Sequence, residues 1–135
     1  MIDRIAASFD RQSMMKTFGA TLDAVSQGQV TLSAPILPGS RQQQGLAHAA
    51  LTFGLGDSAA GYAALTTLPE DQEVVTAEIK INLTAPATGD RLIAKGRVVK
   101  PGRRLIVVTS EVFALTKGTE TLVAILQGTM VPVTL

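Results

Sequence analysis

Asp57 is the only formally charged residue between Arg41 and Glu70, in the run Gly45-Leu-Ala-His-Ala-Ala-Leu-Thr-Phe-Gly-Leu-Gly-Asp-Ser-Ala-Ala-Gly-Tyr-Ala-Ala-Leu. A carboxylate in such surroundings is paired, neutralised by a raised pKa, or set facing a cavity where its chemistry is used. In the last case it acts as a general base on water or as a nucleophile at a carbonyl carbon. Burial in an apolar helix raises the pKa of an aspartate and makes it a better base, provided enough stays ionised near neutral pH. Attack on a carbonyl also needs donors aimed at the oxygen where negative charge develops. The start of a helix just after His48 leaves orphan N–H groups and a partial positive charge, and the Ala49 N–H is the candidate donor. His48 itself stands nine residues before Asp57. On one straight helix that spacing puts the two about 180 degrees apart, so they do not converge within one chain. His48 is therefore read as a structural residue whose ring holds the turn by bonding backbone.

Composition excludes several other chemistries. There is no cysteine and only one histidine. That removes thiolate nucleophiles, disulfide frameworks and histidine-rich or cysteine metal sites, so no metal is expected. Twelve lysines and arginines against 11 acidic residues leave no global field to collect nucleic acid. The start, Met1-Ile-Asp-Arg-Ile-Ala-Ala-Ser-Phe-Asp-Arg, lacks the long apolar core of a signal peptide, and a cytoplasmic protein is expected. The stretch from Gly45 to Leu68 is uncharged enough to suggest a membrane span. A central Asp costs about 2.5–3.5 kcal/mol on insertion scales, and a buried helix is the better reading.

The elements that position these residues follow from periodicity. Ile2, Ile5 and Phe9 have helical spacing, and the pattern is lost around Arg11 to Met15, which predicts a short N-terminal helix. Two runs, Phe18 to Val25 and Val30 to Ala34, flank Ser26-Gln27-Gly28 as a hairpin, and the proline- and glycine-bearing segment from Pro35 to Gly45 is a loop. After the long helix, Val75, Ala77, Ile79, Ile81 and Leu83 alternate with Thr76, Glu78, Lys80, Asn82 and Thr84, a strand. Further strands are predicted over Arg91 to Val99, Leu105 to Leu115 and Leu122 to Val133. They are joined at Lys100-Pro101-Gly102-Arg103, with Pro and Gly placed as in a type II turn, and at Lys117-Gly118. Several of these strands are apolar on both faces, so one face is expected against the helix and the other partly against a second subunit. At 135 residues a single domain, residues 1–135, is expected.

A hairpin, a loop, a buried helix and a four-stranded antiparallel meander resemble the α+β hotdog fold, in which a sheet of five to six strands wraps around one central helix. Within that frame, Gln42-x-x-Gly45-x-x-His48-Ala49-Ala50 followed by Asp57 in Leu-Gly-Asp-Ser-Ala-Ala-Gly resembles the PaaI-type acyl-CoA thioesterases. Those usually read Asn-x-x-Gly-x-x-His-Gly-Gly, then an aspartate in the helix. Ile81-Asn-Leu-Thr-Ala-Pro86-Ala-Thr-Gly89 resembles the family's strand ending in Pro-Ala-x-x-Gly, and Val98-Val-Lys-Pro-Gly102-Arg103 its strand ending in Gly-Arg or Gly-Lys. The four motifs occur in order and cover Gln42 to the end.

The resemblance implies an acyl-CoA thioesterase acting on an aryl-acetyl, aryl or medium-chain acyl thioester, with Asp57 as base or nucleophile and no separate cofactor, coenzyme A being part of the substrate. It implies an active site between two subunits, the turn after His48 from one and the carboxylate from the other. A homodimer, assembling further as a dimer of dimers, is expected, with no nucleic-acid or membrane partner. Gln42 stands where the family has Asn, to orient water or the carbonyl. Thr76 stands where some members carry a hydroxyl near the attacking water, on the polar face of its strand. Ala49-Ala50 replaces Gly-Gly, keeping both N–H donors while adding two methyls where a ligand approaches. Lys95, Arg97, Lys100, Arg103 and Arg104 form a basic cluster. Taken alone it is a solvated strand edge; in related thioesterases the turn from Lys100 through Gly102, Arg103 and Arg104 to Leu105 contacts the nucleotide end of coenzyme A. Three other readings stay open: a hotdog hydratase or dehydratase, a non-catalytic acyl-CoA-binding protein, and a structural oligomer.

Overall fold

Alternation of apolar and polar residues sorts side chains to two faces of a strand, and six such strands form one antiparallel sheet in the order β1-β2-β4-β5-β6-β3. The computed structural model describes residues 1–134. Its strands are β1 (Thr21–Ser26), β2 (Gln29–Pro35), β3 (Gln72–Leu83), β4 (Arg91–Lys100), β5 (Ile106–Thr116) and β6 (Thr119–Thr134). Two short helices, α1 (Ile2–Arg11) and α2 (Ser13–Phe18), precede them, and the long helix α3 (Ala49–Leu65) lies between β2 and β3. This is the expected hotdog arrangement.

The core lies between α3 and one face of the sheet. Leu51, Leu55, Ala59 and Ala63 of the helix and Leu32, Leu92, Ala94, Val112 and Leu126 of the strands are almost fully buried. Each buried leucine contributes about 1.5–3 kcal/mol. The helix sits against the sheet at a glycine: a Cβ at Gly96 of β4 would fall on the Ala59 carbonyl group of α3. Close approach of this kind fixes how far α3 can slide or rotate, and therefore where Asp57 points.

Four expectations need correction. The strands after α3 are not a simple meander: β4, β5 and β6 follow one another, but β3 crosses to the far edge and pairs with β6 while β4 pairs with β2. The expected short N-terminal helix is α1, but a second, α2, follows it: Gln12 breaks the first with an extended backbone (φ −82, ψ 96) and resets the helical phase, which is why the pattern is lost there. The run from Phe18 to Val25 is not one strand. Phe18 ends α2, Gly19 turns the chain with φ 69, and β1 begins at Thr21.

The fourth concerns the outer face of the sheet, which is mixed rather than apolar throughout. Cross-strand partners share a face, and the rows Lys95, Glu111, Ile125, Asn82 and Arg97, Thr109, Gln127, Lys80 run across it. Ile125 is the large apolar residue among these charges, 41% exposed. Runs that look apolar throughout in the sequence are interleaved with polar partners in space, beside an apolar row formed by Ile93, Phe113 and Leu122 on the same face. Among the described residues no helix is long and apolar enough to cross a membrane.

Candidate active site

The loop before α3 is held by its own polar groups. Gln42 donates its N–H to the Leu46 carbonyl at 2.9 Å and accepts from the Gly45 N–H at 3.0 Å. Its side-chain oxygen accepts from the N–H groups of Gln44 and Leu46. The expected amide of Gln42 is thus turned inward on the loop rather than outward to a ligand. Ala47 donates to the Ala87 carbonyl at 3.0 Å and His48 to the Ser40 carbonyl at 2.9 Å, tying the loop to its neighbours.

His48 is the N-cap of α3, with extended backbone (φ −63, ψ 143), and its Nδ1 accepts from the Ala50 N–H at 2.9 Å. The ring does here what a serine or aspartate does at other helix starts, and an accepting Nδ1 places the proton of the neutral ring on Nε2. Its supporting role follows from that bond. The Ala49 N–H makes no hydrogen bond among the described residues, and Ala49 and Ala50 are exposed. The first turn of a 17-residue helix therefore presents a free donor at its positive end. The neighbouring His48, Ala50 and Leu51 line a cleft with Phe18 and Leu37, though Ala49 itself does not.

Asp57 faces a different cavity, of about 230 Å³. Lining it are Gln12 at the junction of α1 and α2, Asp57, Ser58, Gly61 and Tyr62 of α3, and Thr76 of β3. The carboxylate is half-buried. The expectation of an aspartate enclosed in apolar surroundings is corrected: the junction of α1 and α2 lays polar groups along the wall, with Gln12 Nε2 donating to the Tyr62 hydroxyl at 2.9 Å and the Ser58 hydroxyl to Gln12 Oε1 at 3.2 Å. Thr76 Oγ1 donates to Asp57 Oδ1 at 2.7 Å, and among the described residues nothing donates to Oδ2, so one carboxylate oxygen is held and the other is free to take a proton.

Thr76 reaches Asp57 because β3 contains a bulge. The register with β6 shifts between Thr76 and Glu78, leaving Ala77 as the extra residue. Before the bulge Val74 and Thr76 face α3; after it Ile79 and Ile81 do, both packed on the core. The unbroken alternation in the sequence had put Thr76 on the polar face, and the bulge moves it to the helix side. Ser8, Gln12, Ser58, Tyr62 and Glu73 also line this cavity and were not singled out from the sequence. Of the α3 residues lining it, only Gly61, four residues after Asp57, shares its face by spacing; Ser58 and Tyr62 lie further round the helix and reach the cavity through the polar groups packed there. Gln12 and Ser8 carry no such signal, because their partners lie dozens of residues away.

Ala49 and Asp57 do not meet in one chain. Eight residues of helix separate them by about 12 Å along the axis, and the Ala49 N–H points out of the helix start, away from Asp57. Because His48 is a cap outside the helix, this axial separation, rather than an angle around the helix, keeps the two halves apart. The basic turn also divides. Lys95 is paired with Glu120 at 3.1 Å and lies 4.6 Å from the centroid of the Phe113 ring. Lys100, Arg103 and Arg104 are exposed and make no ion pair among the described residues. Ile106, Met130 and Thr76 form one row across β5, β6 and β3, so the strand start just after the turn is about 10 Å from Thr76. Gly102 does not take the positive φ of a type II turn. It is needed because a Cβ there would fall on the Leu105 carbonyl oxygen.

A sequence profile of the thioesterase superfamily matches residues 44–121. Among solved structures, a thioesterase family protein from Silicibacter pomeroyi is 37% identical, with a TM-score of 0.96 over 98% of both chains. The PaaI protein of the E. coli phenylacetic acid degradation operon shares the fold at 19% identity, with a TM-score of 0.83 over 95% of this chain and 89% of that one. A protein of Saccharolobus solfataricus, provisionally named an esterase, is 38% identical over 64 residues. That match takes in 47% of this chain and 42% of the other, so the chain spans less than half of that relative's length.

Proposed function

The chain belongs to the thioesterase superfamily, and from that premise we propose that it hydrolyses acyl-CoA thioesters at a site completed by a second copy of itself. The observation that carries this reading is the Asp57 carboxylate, fixed at Oδ1 by Thr76 and open to a cavity at Oδ2. The acyl carbonyl oxygen accepts from the partner copy's free helix-start N–H, which stabilises the negative charge that develops on it. Asp57 then takes a proton from water as the water attacks the carbonyl carbon, or attacks that carbon itself to form an anhydride that water opens. In either case the carbon–sulfur bond breaks and the thiolate of coenzyme A leaves. A second copy is required because the two halves lie about 12 Å apart along one helix. The 12-residue edge strand β3, with Val75 and Leu83 exposed, offers unpaired backbone groups where that copy docks.

Hydration and dehydration chemistry would need the His48 ring beside an acid. Its Nδ1 is engaged in capping Ala50, and among the described residues no carboxylate lines the cleft beside the ring, which favours hydrolysis. The test is release of free thiol from a panel of acyl-CoAs by the purified protein. Turnover of at least one is expected, and binding without release from any would point to a non-catalytic acyl-CoA-binding protein.

Lys100, Arg103 and Arg104 are assigned to the phosphates of coenzyme A, with Gly102 shaping the tight turn that presents them. One lost charge-assisted contact is worth about 1.5–3 kcal/mol. Arg103→Ala or Arg104→Ala is therefore expected to raise KM for acyl-CoA about tenfold or more. The same acyl group on pantetheine, which lacks the nucleotide, should show no such change. Equal effects on both esters would move recognition of the nucleotide elsewhere.

A further inference from the structure

We infer that Gly61 is a specificity-determining residue that keeps the acyl pocket wide one helical turn beyond Asp57; this rests on the thioesterase reading and concerns which acyl group that site takes. Glycine is among the least favourable residues in a helix interior, yet α3 carries three after its first turn: Gly54, Gly56 and Gly61. Two of them are explained by packing. A Cβ at Gly54 would lie 2.7 Å from Phe18 Cε2, and one at Gly56 would lie 2.8 Å from Leu126 Cδ1, so larger residues there would collide with the neighbouring elements. Gly61 is different: a Cβ built on it would meet only Met130 Cε, at 4.0 Å, an ordinary contact. Nothing in the fold asks for glycine at that position. What lies over it is the cavity that Asp57 faces.

Position gives this space a meaning. Gly61 follows Asp57 by four residues and shares its helix face, about 5–6 Å along. A carbonyl carbon seated at Asp57 therefore places the next few atoms of its acyl group over Gly61. A thin straight chain would pass a methyl group there; a ring or a branch close to the carbonyl would not. The cavity is about 230 Å³, whereas a cavity of about 150 Å³ suffices for benzene. The space over Gly61 therefore has room for a ring on a short linker, and the ligand class is an acyl group with its bulk near the carbonyl.

The experiment compares wild type with Gly61→Ala and Gly61→Val on butanoyl-CoA, 2-methylpropanoyl-CoA, benzoyl-CoA and phenylacetyl-CoA, with thermal unfolding of each protein. The ratio of kcat/KM for the ring-bearing esters to that for butanoyl-CoA should fall about tenfold or more in Gly61→Ala, chiefly through KM, and further in Gly61→Val. Gly61→Ala should also melt about 2–5 °C higher, since alanine is the better helix former. Should wild type release thiol from none of the four, the hydrolase reading fails, and calorimetric binding of the same esters still reads the ratio. An unchanged ratio, or an equal loss on all four esters, overturns the assignment. So does a lower melting temperature, which would mean that something packs on Gly61 as Phe18 does on Gly54.

Discussion

Asp57→Asn is expected to slow release of coenzyme A by about 10²-fold or more while the protein stays folded, the scale of loss typical when a positioned base is removed. The asparagine side chain has nearly the same shape, and its carbonyl oxygen can still accept the Thr76 hydroxyl that now bonds Oδ1 at 2.7 Å. What it lacks is a basic oxygen at the free position, because an amide nitrogen neither accepts a proton nor attacks carbon at neutral pH. Stability should change by no more than about 1 kcal/mol, the net worth of one such hydrogen bond. Asp57→Ala should lose activity to the same extent, and it removes the acceptor for Thr76 as well. Comparing the two separates the base from its support: equal losses assign the effect to proton transfer or attack. A wild-type rate in Asp57→Asn, measured as thiol release on the best acyl-CoA, would remove Asp57 from the reaction altogether.

That Asp57 faces a cavity was legible because carboxylates seldom sit in apolar helices, and a single odd charge narrows the alternatives quickly. The strand carrying Thr76 was legible too, but the facing of Thr76 was not. Val74 and Val75 are adjacent and both apolar, so the alternation fits either parity at the start of β3. Only the pairing with β6 shows that Val75 is 50% exposed and that Ala77 is the bulged residue. A bulge changes the face of every residue on one side of it and leaves no mark in an alternating sequence. The position of β3 at the sheet edge is likewise a matter of long-range pairing. The loop from Pro86 to Asp90 looks like a hairpin turn, yet it carries the chain across to β4, with Ala87 accepting from Ala47 and Asp90 donating to the Leu115 carbonyl. Lys100-Pro101-Gly102 shows the same limit at smaller scale: proline and glycine marked a turn, but the carbonyl of Leu105, not a positive φ, is what demands the glycine. Local chemistry was readable wherever a residue type has one physical use, and not where distant partners choose between two.

The second large effect concerns the other half of the site, and Ala49→Pro tests it without disturbing the helix. Ala49 is the first residue of α3, the position at which proline is best tolerated, because its missing N–H would have no helical partner. The residue before a proline must be extended, and His48 already is, with φ −63 and ψ 143. The cap from Ala50 to His48 Nδ1 is untouched. The variant should therefore fold with wild-type stability and lose only the free donor, and a lost oxyanion donor costs about 10²–10³ in kcat. Because Ala49 and Asp57 cannot meet within one chain, each Asp57→Asn subunit still carries an intact helix start and each Ala49→Pro subunit an intact carboxylate. Mixing the two inactive proteins under conditions that exchange subunits should restore about one quarter of wild-type activity, since half the dimers are then mixed and one of the two sites in each is whole. No recovery despite demonstrated exchange would put both groups in the same chain's site, against the separation that α3 imposes. An active Ala49→Pro variant would instead assign the carbonyl to another donor, the Ala50 N–H being already committed to His48.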